Sequence, residues 1–122
     1  MASYFFDSYA IIELIKGNEK YEKYKDATII TNTLHLAEVL YSLLLRIDHN
    51  SAMEIIANFD FEFIDITPEI SLESALFKFK HKDKKLSYAD CIGYISAIKS
   101  NMLFLTGDKE FEKLPNVEFV KK

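Results

Sequence analysis

The chain has 122 residues, 49% of them hydrophobic, which is enough apolar material for one domain with a substantial core. Its formal net charge of −4 argues against a general nucleic-acid-binding module, because such domains are usually strongly basic. The single cysteine, Cys91, excludes a disulfide framework and a cysteine-based zinc site. We therefore expect one domain over residues 1–122, located in the reducing cytoplasm, with no segment apolar enough to span a membrane.

Short apolar runs alternate with helical patterns along the whole sequence. The predicted strands cover residues 3–6, 27–30, 59–67, 102–105 and 117–120. The predicted helices cover residues 9–16, 19–26, 33–48, 50–58 and 68–79, the segment between the caps Ser87 and Asn101, and residues 109–113. This alternation favours an α/β fold of three layers, in which helices flank a parallel, roughly five-stranded sheet.

The helix predicted over residues 33–48 has an unusually wide apolar surface. Its polar residues fall in one narrow stripe, which consists of His35, Glu38, Ser42, Arg46 and His49. We expect both histidines to lie on the surface within this stripe. An apolar arc this wide is covered on several sides, which hints at a homodimer, and Tyr41 and Leu44 are candidates for a core or dimer contact.

Four acidic residues are predicted to meet at one edge of the sheet. Asp7 follows the first strand, Asp108 follows the fourth, and Asp90 opens the helix that leads into the fourth strand. Glu38 lies about one and a half turns into the helix after the second strand. In a parallel sheet these positions share the edge where the strands end, which is where open α/β folds form their sites.

Crowded carboxylates repel one another, so they either share protons or hold a cation. A ligand set made only of oxygen atoms suits Mg²⁺ or Mn²⁺, and such an ion activates water beside a substrate phosphate. Phosphodiester hydrolysis is therefore the natural chemistry. Each aspartate taken alone is better explained as a helix cap, which stabilises a helix by about 0.3–1 kcal/mol, and Glu38 alone as a solvated side chain. The functional interpretation depends on the four acids converging at one edge.

The motifs around these acids resemble those of the PIN-domain ribonuclease family, and especially its VapC-like toxins, over nearly the whole chain. Asp7-Ser8 is similar to the family's Asp before Ser or Thr, and Glu38 to its helical Glu after the second strand. The segment Leu86–Asp90 is similar to its Leu-Ser-x-x-Asp motif, and Thr106–Asp108 to its Thr-x-Asp motif. Glu110 stands where an Asp is common in the family.

This resemblance implies a PIN-like five-stranded fold, a homodimer, and endoribonuclease activity that depends on Mg²⁺ or Mn²⁺. It implies that the catalytic metal ligands are Asp7, Glu38, Asp90 and Asp108, with supporting hydroxyls from Thr106 and Ser8. The family's toxins are neutralised by an antitoxin peptide that covers the acidic cleft. RNA is therefore the expected substrate, and a small antitoxin is an expected partner.

The loop before Asp90 is basic, and its lysines Lys82, Lys84 and Lys85 are candidate contacts to RNA phosphates. The ordinary interpretation of such a run is a solvated loop.

Three other functions remain open from the sequence. A phosphoacceptor receiver module also gathers acids at strand ends, but Asp7 lacks an acidic neighbour and Asp65 lies inside the predicted third strand. A catalytically inactive PIN-like protein-binding module is the second alternative, although all four acids are intact. The third is an RNA-processing nuclease that is not a toxin.

Overall fold

The computed structural model describes residues 3–122. The strands are β1 (Tyr4–Phe6), β2 (Ile29–Thr31), β3 (Phe61–Phe63), β4 (Leu103–Thr106) and β5 (Val117–Phe119). The helices are α1 (Ser8–Ile15), α2 (Thr33–Leu44), α3 (His49–Ala57), α4 (Pro68–Lys80) and α5 (Tyr88–Lys99), with 3-10 segments at Glu19–Tyr24 and Lys109–Phe111. All strand pairs are parallel, in the order β3-β2-β1-β4-β5. The predicted fold, a parallel five-stranded sheet flanked by helices, is confirmed.

Polar residues cap the helices that begin where the strands end. Asp7 caps α1, Asn32 caps α2 and Ser87 caps α5, and each side chain accepts a backbone N–H from the first turn. These bonds satisfy N–H groups that have no partner inside the helix. The last residue of a strand and the first turn of a neighbouring helix are therefore held close together at one edge of the sheet.

Two apolar cores lie on opposite faces of the sheet. Successive strand residues point to opposite faces, so Phe6 and Leu105 belong to one core and Phe5 and Phe104 to the other. The first core is covered by α1, α2 and α3, and the second by α4 and α5. Within residues 3–122, none of the helices is both long enough and apolar enough to cross a membrane.

The segment predicted as a surface helix over residues 19–26 instead supplies core residues. Tyr21 and Tyr24 in the 3-10 segment are 0% and 2% exposed. Their hydroxyls donate to the Val120 carbonyl and the Glu118 carboxylate, which are 99 and 94 positions away along the chain. The surface prediction is wrong because these distant partners allow both tyrosines to be buried with their hydroxyls paired.

Two helices differ from their predicted form. Helix α2 ends at Leu44 rather than near Asp48, because Asp48 instead accepts the Ser51 N–H and caps α3.

Helix α4 exposes apolar residues at spacings of four and three, namely Leu72, Leu76 and Phe79. These three side chains are 69%, 62% and 67% exposed, so one face of α4 has no cover within residues 3–122.

Candidate active site

Asp7 stands directly after β1 and is only 2% exposed. Its Oδ2 accepts a hydrogen bond from the Thr106 hydroxyl at 2.7 Å, and its Oδ1 accepts the Ser8 backbone N–H at 2.9 Å. In the pairing of β1 with β4, Phe6 lies beside Leu105. The residues that follow them, Asp7 and Thr106, therefore lie side by side at the edge of the sheet. The carboxylate is thus fixed by donors from two adjacent segments.

Glu38 reaches back from α2 to the start of α1. The Ser8 hydroxyl donates to Glu38 Oε1 at 2.9 Å, so Ser8 contacts two of the four acids at once. The Glu38 side chain is 40% exposed, which leaves part of the carboxylate open to solvent. The structure therefore brings Glu38 to the edge where Asp7 lies.

Asp90 has both a capping and an electrostatic role. The Asp90 N–H donates to the Ser87 hydroxyl at 3.0 Å, and Asp90 Oδ2 accepts the Ser87 N–H at 2.9 Å, which is a reciprocal capping box. The cap interpretation of this residue is correct. Burial, with a smaller contribution from the carboxylate of Asp108, also raises the pKa of Asp90, although the hydrogen bond from Ser87 opposes this. The Ser87 N–H bonds to Asp90 Oδ2, so Asp90 Oδ1 is not used by the capping box.

Asp108 is held at the end of β4 by a short Thr-Gly-Asp turn. Its N–H donates to the Thr106 hydroxyl at 3.1 Å, and its Oδ1 accepts the Glu110 N–H at 3.0 Å. The residue between must be glycine, because a Cβ on Gly107 would lie 2.2 Å from the Tyr9 ring and 2.4 Å from the Val120 carbonyl oxygen. Thr106 therefore orders both Asp7 and Asp108.

Burial and neighbouring carboxylates raise the pKa values of Asp7, Glu38 and Asp90. Burial, together with Asp90, Glu38 and Asp108, raises the pKa of Asp7 to about 8, and the Thr106 hydrogen bond only partly opposes this. Burial and nearby Asp90 raise the pKa of Glu38, although its bond from Ser8 works in the other direction. The acids thus form one electrostatic unit at the edge of the sheet.

His35 also belongs to this site, and the prediction that it lies on the surface is wrong. It is 0% exposed, because α1, α5 and the strand residue Phe5 surround the first turn of α2. Its Nδ1 accepts the Ser8 N–H at 3.2 Å and lies 3.4 Å from Asp7 Oδ1. Burial lowers its pKa to about 4, so the imidazole is neutral at pH 7. A polar stripe on a helix gave no signal of this, since the covering residues come from other elements.

A hard divalent cation fits the chemistry of these side chains. Among residues 3–122, no three His, Cys, Asp or Glu side chains already stand in a metal-binding arrangement. The acids nevertheless offer only oxygen donors. Burial first, and then the neighbouring acids, raise the pKa of Asp7, and a bound cation would oppose both effects by stabilising the ionised carboxylate. Glu38, Asp90 and Asp108 are partly exposed, so their side chains can adjust around an ion.

The candidate RNA-contacting lysines lie in the loop between α4 and α5. Lys82 and Lys84 line a groove of about 360 Å³ together with Tyr88, in the first turn of α5. The Lys85 backbone N–H donates to Glu110 Oε1 at 3.3 Å, which ties this loop to the turn after β4. The loop therefore adjoins the acidic edge, and Glu110 faces the loop through this bond.

Comparison with known proteins identifies the family of this chain. The sequence matches the PIN domain family over residues 4–117. The chain belongs to the PIN-domain family. The resemblance to PIN domains and their VapC-like members that the sequence motifs indicated is confirmed.

Solved structures of VapC toxins and VapBC complexes share the fold of this PIN domain. VapC20 from Mycobacterium tuberculosis, described as a toxin that cleaves the sarcin–ricin loop, has a TM-score of 0.79 at 17% identity, covering 98% of this chain and 100% of that one. DNA-bound VapBC from Salmonella typhimurium has a TM-score of 0.78 at 15% identity, covering 99% and 98%. VapBC2 from Rickettsia felis, bound to promoter DNA, has a TM-score of 0.75 at 19% identity, covering 97% of each chain. No curated protein sequence matches the chain.

The strand order separates this PIN domain from a receiver module. Receivers have the flavodoxin-like order 2-1-3-4-5, in which the third strand lies beside the first. Here β3 is at the edge of the sheet, next to β2. Asp65 follows that edge strand and is exposed, so the receiver alternative is wrong.

Proposed function

We propose that this PIN domain is a metal-dependent endoribonuclease, the toxin of a toxin–antitoxin pair. The observation that carries the proposal is the buried carboxylate of Asp7, whose pKa is raised to about 8 partly by three other carboxylates from separate segments. Helix capping explains each aspartate singly, but it does not explain why the acids gather around a buried one without a neutralising charge. A site that binds a cation does explain it.

Asp7, Glu38, Asp90 and Asp108 would hold Mg²⁺ or Mn²⁺. When bound, such an ion polarises a phosphodiester and makes water a better nucleophile near neutral pH. The chain's own hydroxyls orient the acids: Thr106 holds Asp7, and Ser8 holds Glu38. Both hydroxyls are donors, so they stabilise the ionised carboxylates that cation binding requires.

The proposed substrate and partners rest on the likeness to VapC proteins. One similar structure is a toxin described as cleaving the sarcin–ricin loop, and others are VapBC complexes. We extend these descriptions to this chain as RNA cleavage and neutralisation by a small antitoxin. A homodimer agrees with the exposed apolar residues of α4, which a second copy would cover.

The first test is RNA cleavage by the purified protein with Mg²⁺, with Mn²⁺ or with EDTA. Asp90→Asn is the informative variant, because an Asn oxygen still accepts the Ser87 N–H and preserves the cap. Glu54→Gln is the matched control, since it also neutralises one acid, on the exposed face of α3. We expect cleavage by the parent and the control with metal only, and almost none by Asp90→Asn. Equal cleavage by all three proteins would place the reaction elsewhere.

A second test separates the toxin from the other functions. Induced synthesis of the parent in bacteria should arrest growth, and synthesis of Asp90→Asn should not. RNA cleavage without growth arrest would favour an RNA-processing nuclease. Absence of both cleavage and metal binding in the parent would favour an inactive PIN-like binding module.

A further inference from the structure

The His35 imidazole lies at the junction of the three elements that carry Asp7, Glu38 and Asp90. Its Nδ1 is 3.2 Å from the Ser8 nitrogen, 3.4 Å from Asp7 Oδ1 and 3.6 Å from Glu38 Oε1. The Ser8 N–H therefore has two acceptors, the Asp7 carboxylate and the His35 ring. Because Nδ1 accepts this hydrogen bond, the ring presents a lone pair rather than a proton on the side of the acids.

The opposite edge of the ring fits into α5 where that helix lacks a side chain. A Cβ on Gly93 would lie 2.5 Å from His35 Nε2 and 3.1 Å from Cε1, so the ring occupies the space that a larger residue would need. Glycine is unfavourable inside a helix, and close packing against His35 is a reason for its presence here. Nε2 makes no hydrogen bond of normal geometry with any residue in 3–122, but the backbone of Ala89, which is also on α5, interacts with the ring and partly opposes the lowering of its pKa by burial.

We propose that His35 is a positioning residue that sets the spacing of Asp7, Glu38 and Asp90, and thereby the affinity of the site for a divalent cation. This inference rests on the proposed function. Glu38 lies one turn after His35 on α2, and Asp90 lies one turn before Gly93 on α5. Seating the ring against Gly93 fixes one acid-bearing helix against the other. The bond from Ser8 fixes the residue that follows Asp7.

Because the ring offers Asp7 and Glu38 no proton, it cannot neutralise them in place of a cation. A lysine or arginine at this position would pair with the acids and compete with the ion. Partners that orient ligands from behind typically change metal affinity by about 10- to 100-fold when they are replaced. Metal affinity is therefore the property that distinguishes a positioning role of His35 from a contribution to folding alone.

The test uses two double variants of similar shape, one with a hydrogen-bonding side chain at position 35 and one with an apolar side chain there. His35→Asn keeps an acceptor at the position of Nδ1, and His35→Leu has nearly the same shape without one. Combining each with Gly93→Ala fills the space vacated by Nε2 and Cε1 with a methyl group. Mn²⁺ affinity is measured by electron paramagnetic resonance, and stability by thermal unfolding in EDTA.

We expect the Leu-containing double variant to bind Mn²⁺ about 10-fold or more weakly than the parent. The Asn-containing double variant should bind Mn²⁺ nearly as tightly as the parent, with both variants unfolding at similar temperatures in EDTA. Equal Mn²⁺ affinity in the two variants would overturn the positioning role. A parent that binds no Mn²⁺ at all would instead overturn the proposed metal site, and with it this inference.

A measurement on the parent alone covers the case in which neither double variant folds. Long-range ¹H–¹⁵N spectra should show His35 with its proton on Nε2, and Mg²⁺ should shift the Nδ1 resonance. The other two histidines, His49 and His81, serve as internal references. A proton on Nδ1, or an Nδ1 resonance that Mg²⁺ leaves unchanged while it shifts others in the site, would contradict the proposal.

Discussion

The Thr106 hydroxyl donates a 2.7 Å hydrogen bond to Asp7 Oδ2, joining residues that are 99 positions apart in sequence. Both residues are buried. Asp7 follows β1, and Thr106 is the last residue of the adjacent strand β4. The same hydroxyl accepts the Asp108 N–H. One side chain therefore determines where two of the four acids stand.

Replacing Thr106 by Val removes this hydroxyl while keeping the shape of the side chain. Asp7 would lose a buried donor, and we expect the free energy of unfolding to fall by about 1–3 kcal/mol. The Thr106 bond lowers the pKa of Asp7, so its loss should also weaken Mn²⁺ binding near pH 7. Urea unfolding in EDTA and Mn²⁺ titration measure the two effects. Thr106→Ser keeps a hydroxyl and should bind Mn²⁺ nearly as tightly as the parent does. If both variants lose the same Mn²⁺ affinity, the hydrogen bond from residue 106 is not what supports metal binding.

Stability without metal should fall as the pH rises from 6.5 to about 8. In this window the folded state binds the Asp7 proton more tightly than the unfolded state, because burial and nearby acids raise the pKa of Asp7 from 3.8 to about 8. The lowered pKa of His35 has the opposite effect, but only between about 4 and 6.5. Thermal unfolding in EDTA should show the decline in the parent and a flatter profile in Asp7→Asn. Mg²⁺ should stabilise the parent more at pH 8 than at pH 6.5, and a parent profile that rises through this window would refute the assignment.

Neutralising Lys82, Lys84 and Lys85 together should weaken binding of single-stranded RNA. Each lost phosphate contact should flatten the dependence of log affinity on log salt by about 0.7. Binding is measured in the Asp90→Asn background, so that the RNA is not cut. Lys20, Lys23 and Lys25 provide the control, because they are exposed and lie with the 3-10 segment on the opposite face of the sheet. If both triple Lys→Gln variants lose the same affinity, net charge rather than the loop is responsible.

Leu76→Lys should convert a dimer into a monomer in sedimentation velocity experiments. Leu76 is central in the exposed apolar stripe of α4, and a lysine there would place an unpaired charge in the interface. Leu45→Lys is the comparison, since Leu45 is 70% exposed just after α2. Dissociation by Leu45→Lys alone would move the interface to α2, whose wide apolar arc first indicated a dimer.

Three of the acids were predictable because local sequence and chain topology together determine their positions. Asp7 and Asp108 follow strands, and the capping box places Asp90 in the first turn of α5. Because the strands are parallel, the chain connectivity then determines that these three residues lie at the same edge of the sheet. Which contacts the side chains make there was not predictable, since Ser8 and Thr106 act across 30 and 99 positions.

The predictions that failed did so because burial depends on elements distant in sequence. Periodicity assigned His35 to a polar stripe, but the residues that cover it come from α1, α5 and β1. Tyr21 was assigned to a surface helix, and its carbonyl partner is near the end of the chain. The apolar residues of α4 are divided between two sides of the helix: Ile70 is buried, whereas Leu76 is exposed. A helical period reports an apolar side but not what covers it.

Because of the capping box at the start of α5, a mutation can remove the charge of Asp90 without disrupting the fold. An Asp codon becomes an Asn codon by a single-nucleotide change, and an Asn amide oxygen at position 90 can still accept the Ser87 N–H that Asp90 Oδ2 accepts here. A lineage can therefore lose the negative charge at Asp90 while α5 still begins at Ser87. We expect silenced descendants of this gene to keep folding. If the proposed homodimer forms, they would pair with active copies and act as dominant inhibitors.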